Sequence, residues 1–487
     1  MASLDEIRVE RERKLGLLKA AGQEVYPATV ERTGDLASIV ADWDHLVEIG
    51  AEVRLAGRVR AIRGQGAVVF IDLDDGSARL QGLLKSDALD GEAFNLFKDT
   101  VDLGDFIELG GSLFITERGE KTLAVADWRM LVKTLLPLPD KWHGLTDDDA
   151  RFRKRYLDIL MNEETRDLFV LKARFWDEVR SFLKQRGFLE VETPTLELST
   201  GGAEANPFKT HHDDFDLDVF LRISVGELWQ KRLLAAGFPK TFEIGRVYRN
   251  EGSSPEHLQE FTNIEFYAAY LSFANGKKLI QELYRTLAQN VFGRTSFEVK
   301  GHNFDLAADW EELDYVKTIE KMLGINVLEA SESALKAKLT ELGVTYEGEN
   351  RERLADSLWK FCRKQISGPA FLVNHPKLVA PLSKEHPEDS RLTLTCQVIL
   401  AGSELGRAHA ELNDPADQAE RFRVQQELLA GGDKEAMMPD SDFVEMLEHG
   451  MPPAFGFGFG ERLFSYLAGK SIRETQIFPL VRPKDNQ

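Results

Sequence analysis

FEIGRVYRNEGSSPEHLQEFTNIEFY, Phe242 to Tyr267, decides how this chain is read. Apolar and polar residues alternate on both sides of a loop rich in Gly, Ser and Pro, which predicts an antiparallel hairpin. Arg249, Asn250 and Glu251 fall just before the loop, and His257 falls within it. By the period of two, Glu243, Gly245, Val247 and Arg249 share a face of the first strand. Phe261, Asn263, Glu265 and Tyr267 share a face of the return strand. An arginine grips a phosphate through two parallel hydrogen bonds, which a lysine cannot do. Phe261 offers a flat apolar face to a base, and the acids suit a cation. An ordinary hairpin with an arginine–glutamate bridge on its surface is the plainer alternative.

Upstream, from about Ala51, the texture is different. VRLAGRVRAIR, AVVFIDLDD, ARLQGLLK, DFIELGGSLFIT and LAVADWRMLVK are short alternating segments separated by Gly and Asp turns. Five such strands predict a small barrel of the nucleic-acid-binding OB type over 51–137. The charged segment RVERERKLGLLKA belongs to a helical extension over 1–50. A solvated helix is its ordinary reading, and a basic face that holds RNA is the other. A Pro-containing linker is expected over 138–161. Beyond it, Asn162 is placed to cap a helix whose first turn carries Glu163 and Glu164. Leu171, Phe175, Val179 and Leu183 give that helix an apolar face, and Gly187 ends it. Residues 300–390 read as an insertion of charged helices without motif residues, inside a domain spanning 162–487.

The 487 residues suffice for two or three domains, and 43% hydrophobic with 29% charged residues is a soluble composition. No apolar run approaches the roughly 18 residues of a membrane span, and the N-terminus lacks a signal-peptide core. Cys362 and Cys396 are too few for a disulfide framework or a zinc cluster, so a cytoplasmic setting is expected. A net charge of −20 argues against a generic polyanion binder, and any grip on RNA must come from local patches.

With FExxxxxRNE…H…EFTxxE, the hairpin resembles motif 2 of the class II aminoacyl-tRNA synthetases. RGFLEVETPTL, Arg186 to Leu196, is similar to their motif 1, and GFGFGERLFSYLAG, Gly456 to Gly469, to motif 3. TCQVILAGSELGRAHAELNDPADQ resembles their magnesium and amino-acid strand, and LRISVGELWQKRL is similar to LRIxxELYLKRL of the lysine-activating members, with one residue inserted. The resemblance spans roughly Ala51 to Pro483. It implies an α+β protein: an N-terminal five-stranded OB-fold barrel, then a class II catalytic domain with an antiparallel sheet flanked by helices. It also implies a homodimer through the motif 1 helix and strand, no membrane partner, and ATP, Mg²⁺, lysine and tRNA(Lys) as reactants.

Residue by residue, the resemblance places Arg249, Glu251, His257, Phe261, Glu404 and Arg462 around ATP. Arg249 and Arg462 carry the catalytic charge, and Glu404 is the metal ligand. Gly202, Glu227, Glu265, Tyr267, Arg407 and Glu411 are implied for lysine, with Glu227 toward the α-amine and Glu411 and Tyr267 toward the ε-amine. In the barrel, Arg63, Phe70 and Gln81 match positions that hold an anticodon uridine. Three departures stand out. The second metal acid falls on neutral Gln397, and an asparagine near the substrate carboxylate is replaced by Arg407. In motif 3, Gly460 directly precedes Glu461, which shifts the usual alternation and leaves Gly456 and Gly458 without an assigned role. Arg407 either takes the substrate carboxylate or replaces part of the lost metal charge. A class II enzyme for aspartate or asparagine, and a non-catalytic RNA-binding paralogue, are the alternatives. A paralogue that lysylates a protein would not need the barrel.

Overall fold

A computed structural model describes residues 3–64, 66–139, 145, 147–203, 205–252, 254–346, 348, 350–433 and 436–484. The chain divides into two compact units, residues 1–151 with 156–161, and residues 152–155 with 162–487.

In the first unit the five alternating segments form β1 (Glu52–Arg63), β2 (Val68–Asp74), β3 (Arg79–Lys85), β4 (Phe106–Ile115) and β5 (Lys121–Val132). They close into a barrel in the order β1-β2-β3-β5-β4. The inward residues of β2, Val69, Ile71 and Leu73, are buried, as the period of two requires. Helix Leu4–Ala20 opens with a capping box between Ser3 and Glu6. Leu18, Leu36, Ile39 and Trp43 from the extension join the barrel's core, so extension and barrel share one apolar interior. Arg11 is not free for a ligand: it is buried and donates to the carbonyls of Leu103, Thr134 and Leu136. The expected linker over 138–161 lies partly outside the described residues. Its described part contains the short helices Asp148–Arg153 and Arg155–Met161.

The second unit is built on an eight-stranded sheet. Its order is Glu311–Asp314, Ala370–Pro376, Leu392–Leu400, Ser403–Ala410, Ala454–Gly460, Glu260–Ala269, Lys240–Tyr248 and Leu189–Glu190. The two outermost pairs are parallel and the inner ones antiparallel. Helix Glu163–Gln185 packs Phe175, Val179 and Leu183 into the core against this sheet. Asn162 sits at its N-cap with extended backbone but makes no side-chain capping bond. Gly187 has φ +79°, a conformation glycine adopts without penalty. The stretch 300–390 differs from its expectation as an insertion. It supplies two strands of the main sheet, Glu311–Asp314 and Ala370–Pro376, and the helix Arg351–Arg363.

Candidate active site

The hairpin strands pair with Glu243 opposite Glu265, Gly245 opposite Asn263 and Val247 opposite Phe261. Glu243 is consumed structurally: it binds buried Arg222 at 2.6 Å and accepts from the amide and hydroxyl of Thr193. The return strand carries its polar face into a cavity of about 510 Å³. Every candidate named above for the larger unit lines that cavity, from Gly202 and Glu227 to Glu411 and Arg462.

Strand Ala454–Gly460 forms part of the floor. Gly456, Gly458 and Gly460 stand opposite Tyr267, Glu265 and Asn263. A Cβ on Gly456 would lie 2.0 Å from Glu411 Oε1 and 2.5 Å from Tyr267 Cε1, and one on Gly458 would lie 2.8 Å from Glu265 Cγ. These two glycines, which the sequence left without a role, keep the space above the acids open.

The register sorts the cavity by charge. Tyr267, Gly456 and Glu411 mark one end, Glu265 and Arg407 lie further along, and Phe261, Glu404 and Arg462 lie beyond. At the first end and the step next to it Glu227, Glu411 and Glu265 are all buried, and so is Lys231, one helical turn after Glu227. Lys231 Nζ donates to Glu227 Oε1 at 2.7 Å and forms an ion pair with Glu411 Oε2 at 2.6 Å. Neither Glu411 oxygen has a hydrogen-bond donor among the described residues. Glu265 accepts from the Val225 amide at 2.8 Å, Asn263 Nδ2 at 3.1 Å and the Tyr267 hydroxyl at 2.9 Å. Burial, reinforced by Glu227, pushes the Glu265 carboxyl up to about 7. Burial likewise lifts Glu411 to about 8, against the pull of Lys231. Burial opposes the Lys231 ammonium, but Glu227 and Glu411 outweigh it and hold its pKa above the ordinary value. Gly226, in the segment where this motif carries one inserted residue, adopts φ +67° and precedes the helix that carries Glu227 and Lys231.

At the other end Arg249 lies with its guanidinium carbon 5.3 Å from the centroid of Phe261 and donates to the carbonyl of Ile223 at 3.3 Å. His257 contacts Ser254 Oγ at 2.8 Å, and burial together with Arg462 lowers its pKa. Arg462 donates to the backbone carbonyl of Glu404, and Arg407 to that of Val379. The Glu404 carboxylate receives Trp359 Nε1 at 2.8 Å, Arg363 Nη1 at 2.9 Å and Gln397 Nε2 at 3.2 Å. That is a shell of donors, and it does not fit a Mg²⁺ ion on Glu404, which needs open oxygen ligands. Lys231, Trp359 and Arg363 went unassigned in the sequence. The i,i+4 spacing of Glu227 and Lys231 was a readable signal; nothing local marks Trp359 or Arg363.

In the barrel unit, Arg63 stands directly opposite Phe70, and Gln81 opposite Asp72. Phe70 is half-buried on the outer face and lies outside the core cluster. Arg63 binds Asp72 through two bonds of 2.9 and 2.7 Å and Gln81 Oε1 at 3.2 Å, so Asp72 joins the three candidates in one patch.

Comparison with known proteins accounts for both units. A family model described as tRNA synthetases class II (D, K and N) matches residues 147–482, and one described as OB-fold nucleic acid binding domain matches 53–131. Proteins named lysine–tRNA ligase from Moorella thermoacetica, Thermotoga maritima and Roseiflexus sp. (strain RS-1) are 40%, 39% and 39% identical to it. The alignments cover 99% of this chain in each case, and 99%, 97% and 100% of the respective relatives. With a full-length likeness of this kind and a matched domain that holds the whole cavity, the chain belongs to the class II tRNA synthetases of the D, K and N group.

Proposed function

We propose that the chain is a lysine–tRNA ligase, which activates lysine with ATP and transfers it to the 3′ end of tRNA(Lys). The observation that carries this reading is the charge balance at the closed end of the cavity. Three buried carboxylates, Glu227, Glu265 and Glu411, face one buried cation, Lys231. A buried carboxylate needs a partner or a proton. Two further positive charges would complete the set, and lysine brings two ammonium groups. Glu227, beside Gly202, takes the α-amine, and Glu411 with the Tyr267 hydroxyl takes the ε-amine. An aspartate or asparagine substrate would need a surplus of cations at this end, where Lys231 is outnumbered. The names of the full-length relatives support the same choice.

In the first step a lysine carboxylate oxygen attacks the α-phosphorus of ATP. The bond from that phosphorus to the bridging oxygen breaks, and pyrophosphate leaves. Mg²⁺ accompanies the ATP phosphates as part of the substrate. Arg249 holds the α-phosphate and offsets the charge that builds there, Phe261 stacks on adenine, and Arg407 orients the attacking carboxylate. Arg462 and His257 meet the outer phosphates, with Glu251 beside the nucleotide. In the second step the terminal ribose hydroxyl of tRNA attacks the adenylate carbonyl and AMP leaves. Among the described residues no side chain is placed as an obvious general base, so positioning and electrostatics supply most of the rate. The barrel patch of Arg63, Phe70 and Gln81 takes an unpaired anticodon base by stacking and edge contacts. A homodimer through the motif 1 segments is part of the reading, supported by exposed Val170, Leu189 and Leu196 there. The cytoplasm, which keeps buried Cys362 and Cys396 as free thiols, is its setting.

ATP–pyrophosphate exchange against each of the twenty amino acids tests this. Exchange with lysine alone is expected. Exchange with aspartate or asparagine would move the substrate assignment, and no exchange with any would favour a non-catalytic RNA-binding protein.

A further inference from the structure

Glu404 faces three guanidinium groups, one of which, Arg462, also has Glu256 at 3.9 Å. Arg363 binds its carboxylate at 2.9 Å, and Arg407 and Arg462 are the next charges that act on it. From the adjacent strand the neutral amide of Gln397, whose own register partner is Arg407, donates to Oε2 at 3.2 Å. Trp359 and Arg363, four residues apart on the helix Arg351–Arg363, share Oε1. A divalent ion needs the reverse arrangement, with oxygen ligands in excess and no resident cation. Mg²⁺ would have to displace Arg363 and then sit beside two more arginines. Among the described residues no group of three His, Cys, Asp or Glu side chains is placed to hold a metal.

The same cluster leaves guanidinium donors, and the acceptor Gln397 Oε1, without hydrogen-bond partners among the described residues. Arg363 Nε and Arg407 Nε are buried donors without an acceptor among the described residues, and both side chains line the cavity. Buried donors left unmade are costly, and an anion entering the cavity relieves that cost. Tetrahedral phosphate oxygens suit the forked geometry of a guanidinium.

We propose that Arg363, anchored on Glu404, does the work of a protein-bound metal ion: it presents a fixed guanidinium to the polyphosphate of ATP. The chain then needs one divalent ion fewer than a site with a second acid at position 397 would. This deepens the ligase reading and rests on ATP as its substrate.

The test is ATP binding by titration calorimetry to the full-length protein, in excess EDTA and in excess Mg²⁺. The wild type, Arg363→Ala and the double variant Arg363→Ala/Gln397→Glu are compared, each checked for folding by circular dichroism. The wild type is expected to bind ATP in EDTA with a Kd within about tenfold of its Mg²⁺ value. Arg363→Ala should weaken binding in EDTA by about 10- to 100-fold, and by less in Mg²⁺. The double variant supplies two acids and removes the guanidinium bound to Glu404, so it should bind one more Mn²⁺ per ATP site than the wild type, counted by electron paramagnetic resonance. Loss of wild-type ATP binding in EDTA would overturn the proposal, and so would equal Mn²⁺ counts in the two proteins. Lysine-dependent exchange is read in parallel. Its absence, with EDTA-resistant ATP binding intact, would sink the ligase reading while leaving the role of Arg363 standing.

Discussion

Lys231 Nζ lies 2.6 Å from Glu411 Oε2, and both side chains are almost wholly shielded from water. The pair sits where the substrate ammonium is proposed to bind, so the pocket carries a cation of its own beside the place kept for another. Because Lys231 also holds Glu227, Glu411→Gln leaves it with a carboxylate partner. The variant is expected to fold. It should lose about 10²- to 10³-fold in kcat/KM for lysine in pyrophosphate exchange, the scale of a broken buried pair, and keep its ATP affinity. Lys231→Met removes the cation that Glu227 and Glu411 share and should lower stability by about 3 kcal/mol or more in chemical denaturation. A Glu411→Gln protein with unchanged lysine kinetics would put the substrate amine elsewhere.

Proton binding at this end has a definite sign. Burial raises Glu265 to about 7 and Glu411 to about 8, above the ordinary carboxyl value. In the free protein, stability from these carboxyls is fully present below their unfolded pKa and is lost as pH rises through about 7 to 8. A bound diammonium ligand favours the ionised form, so its stabilising effect must grow over the same window. The melting temperature shift caused by lysine is therefore expected to be larger at pH 8.5 than at pH 6. The KM for lysine should rise by about tenfold for each unit that the pH falls below 7, for each proton that has to leave. A lysine-induced shift that is flat from pH 6 to 8.5 would mean the acids are already ionised.

Gly456→Ala probes the floor of the same end. The added methyl would meet Glu411 Oε1 at 2.0 Å and the Tyr267 ring at 2.5 Å. Overpacking of this kind costs about 1–3 kcal/mol, so KM for lysine should rise by about 5- to 150-fold. ATP affinity should hold, because Phe261 and Arg462 lie at the far end of the strand pair. Equal loss of both would indicate a general distortion of the sheet.

Much of this site was legible in the sequence because it lies on regular elements. Period two put Phe261, Asn263, Glu265 and Tyr267 on one face, and the structure keeps them there. The barrel strands were equally readable from their alternation and turns. What escaped was set by tertiary contact. Arg363 and Trp359 reach Glu404 from a helix about forty residues upstream in the chain, where no local pattern marks a site. The stretch 300–390 looked like an insertion because its helices are charged, yet its two short strands are registered into the main sheet. Gly456 and Gly458 were obscured by the shift in the motif 3 alternation. Their part emerges only when the side chains opposite them are in place.

Phe70 separates the two halves of the proposed reaction. Its ring is on the outer face of β2, directly opposite Arg63, while Val69 and Ile71 on either side point into the core. A core phenylalanine would cost stability when truncated, whereas this one is expected to leave the melting temperature nearly unchanged. Base stacking on an aromatic ring is worth about 1–3 kcal/mol, so Phe70→Ala should raise KM for tRNA by about 5- to 150-fold. Lysine-dependent pyrophosphate exchange needs no tRNA and should be intact. Arg63 is already bound by Asp72 and Gln81, so the patch is held in shape before RNA arrives. Loss of exchange and aminoacylation to the same degree in Phe70→Ala would show that the ring supports the fold, and would remove the anticodon role from this face of the barrel.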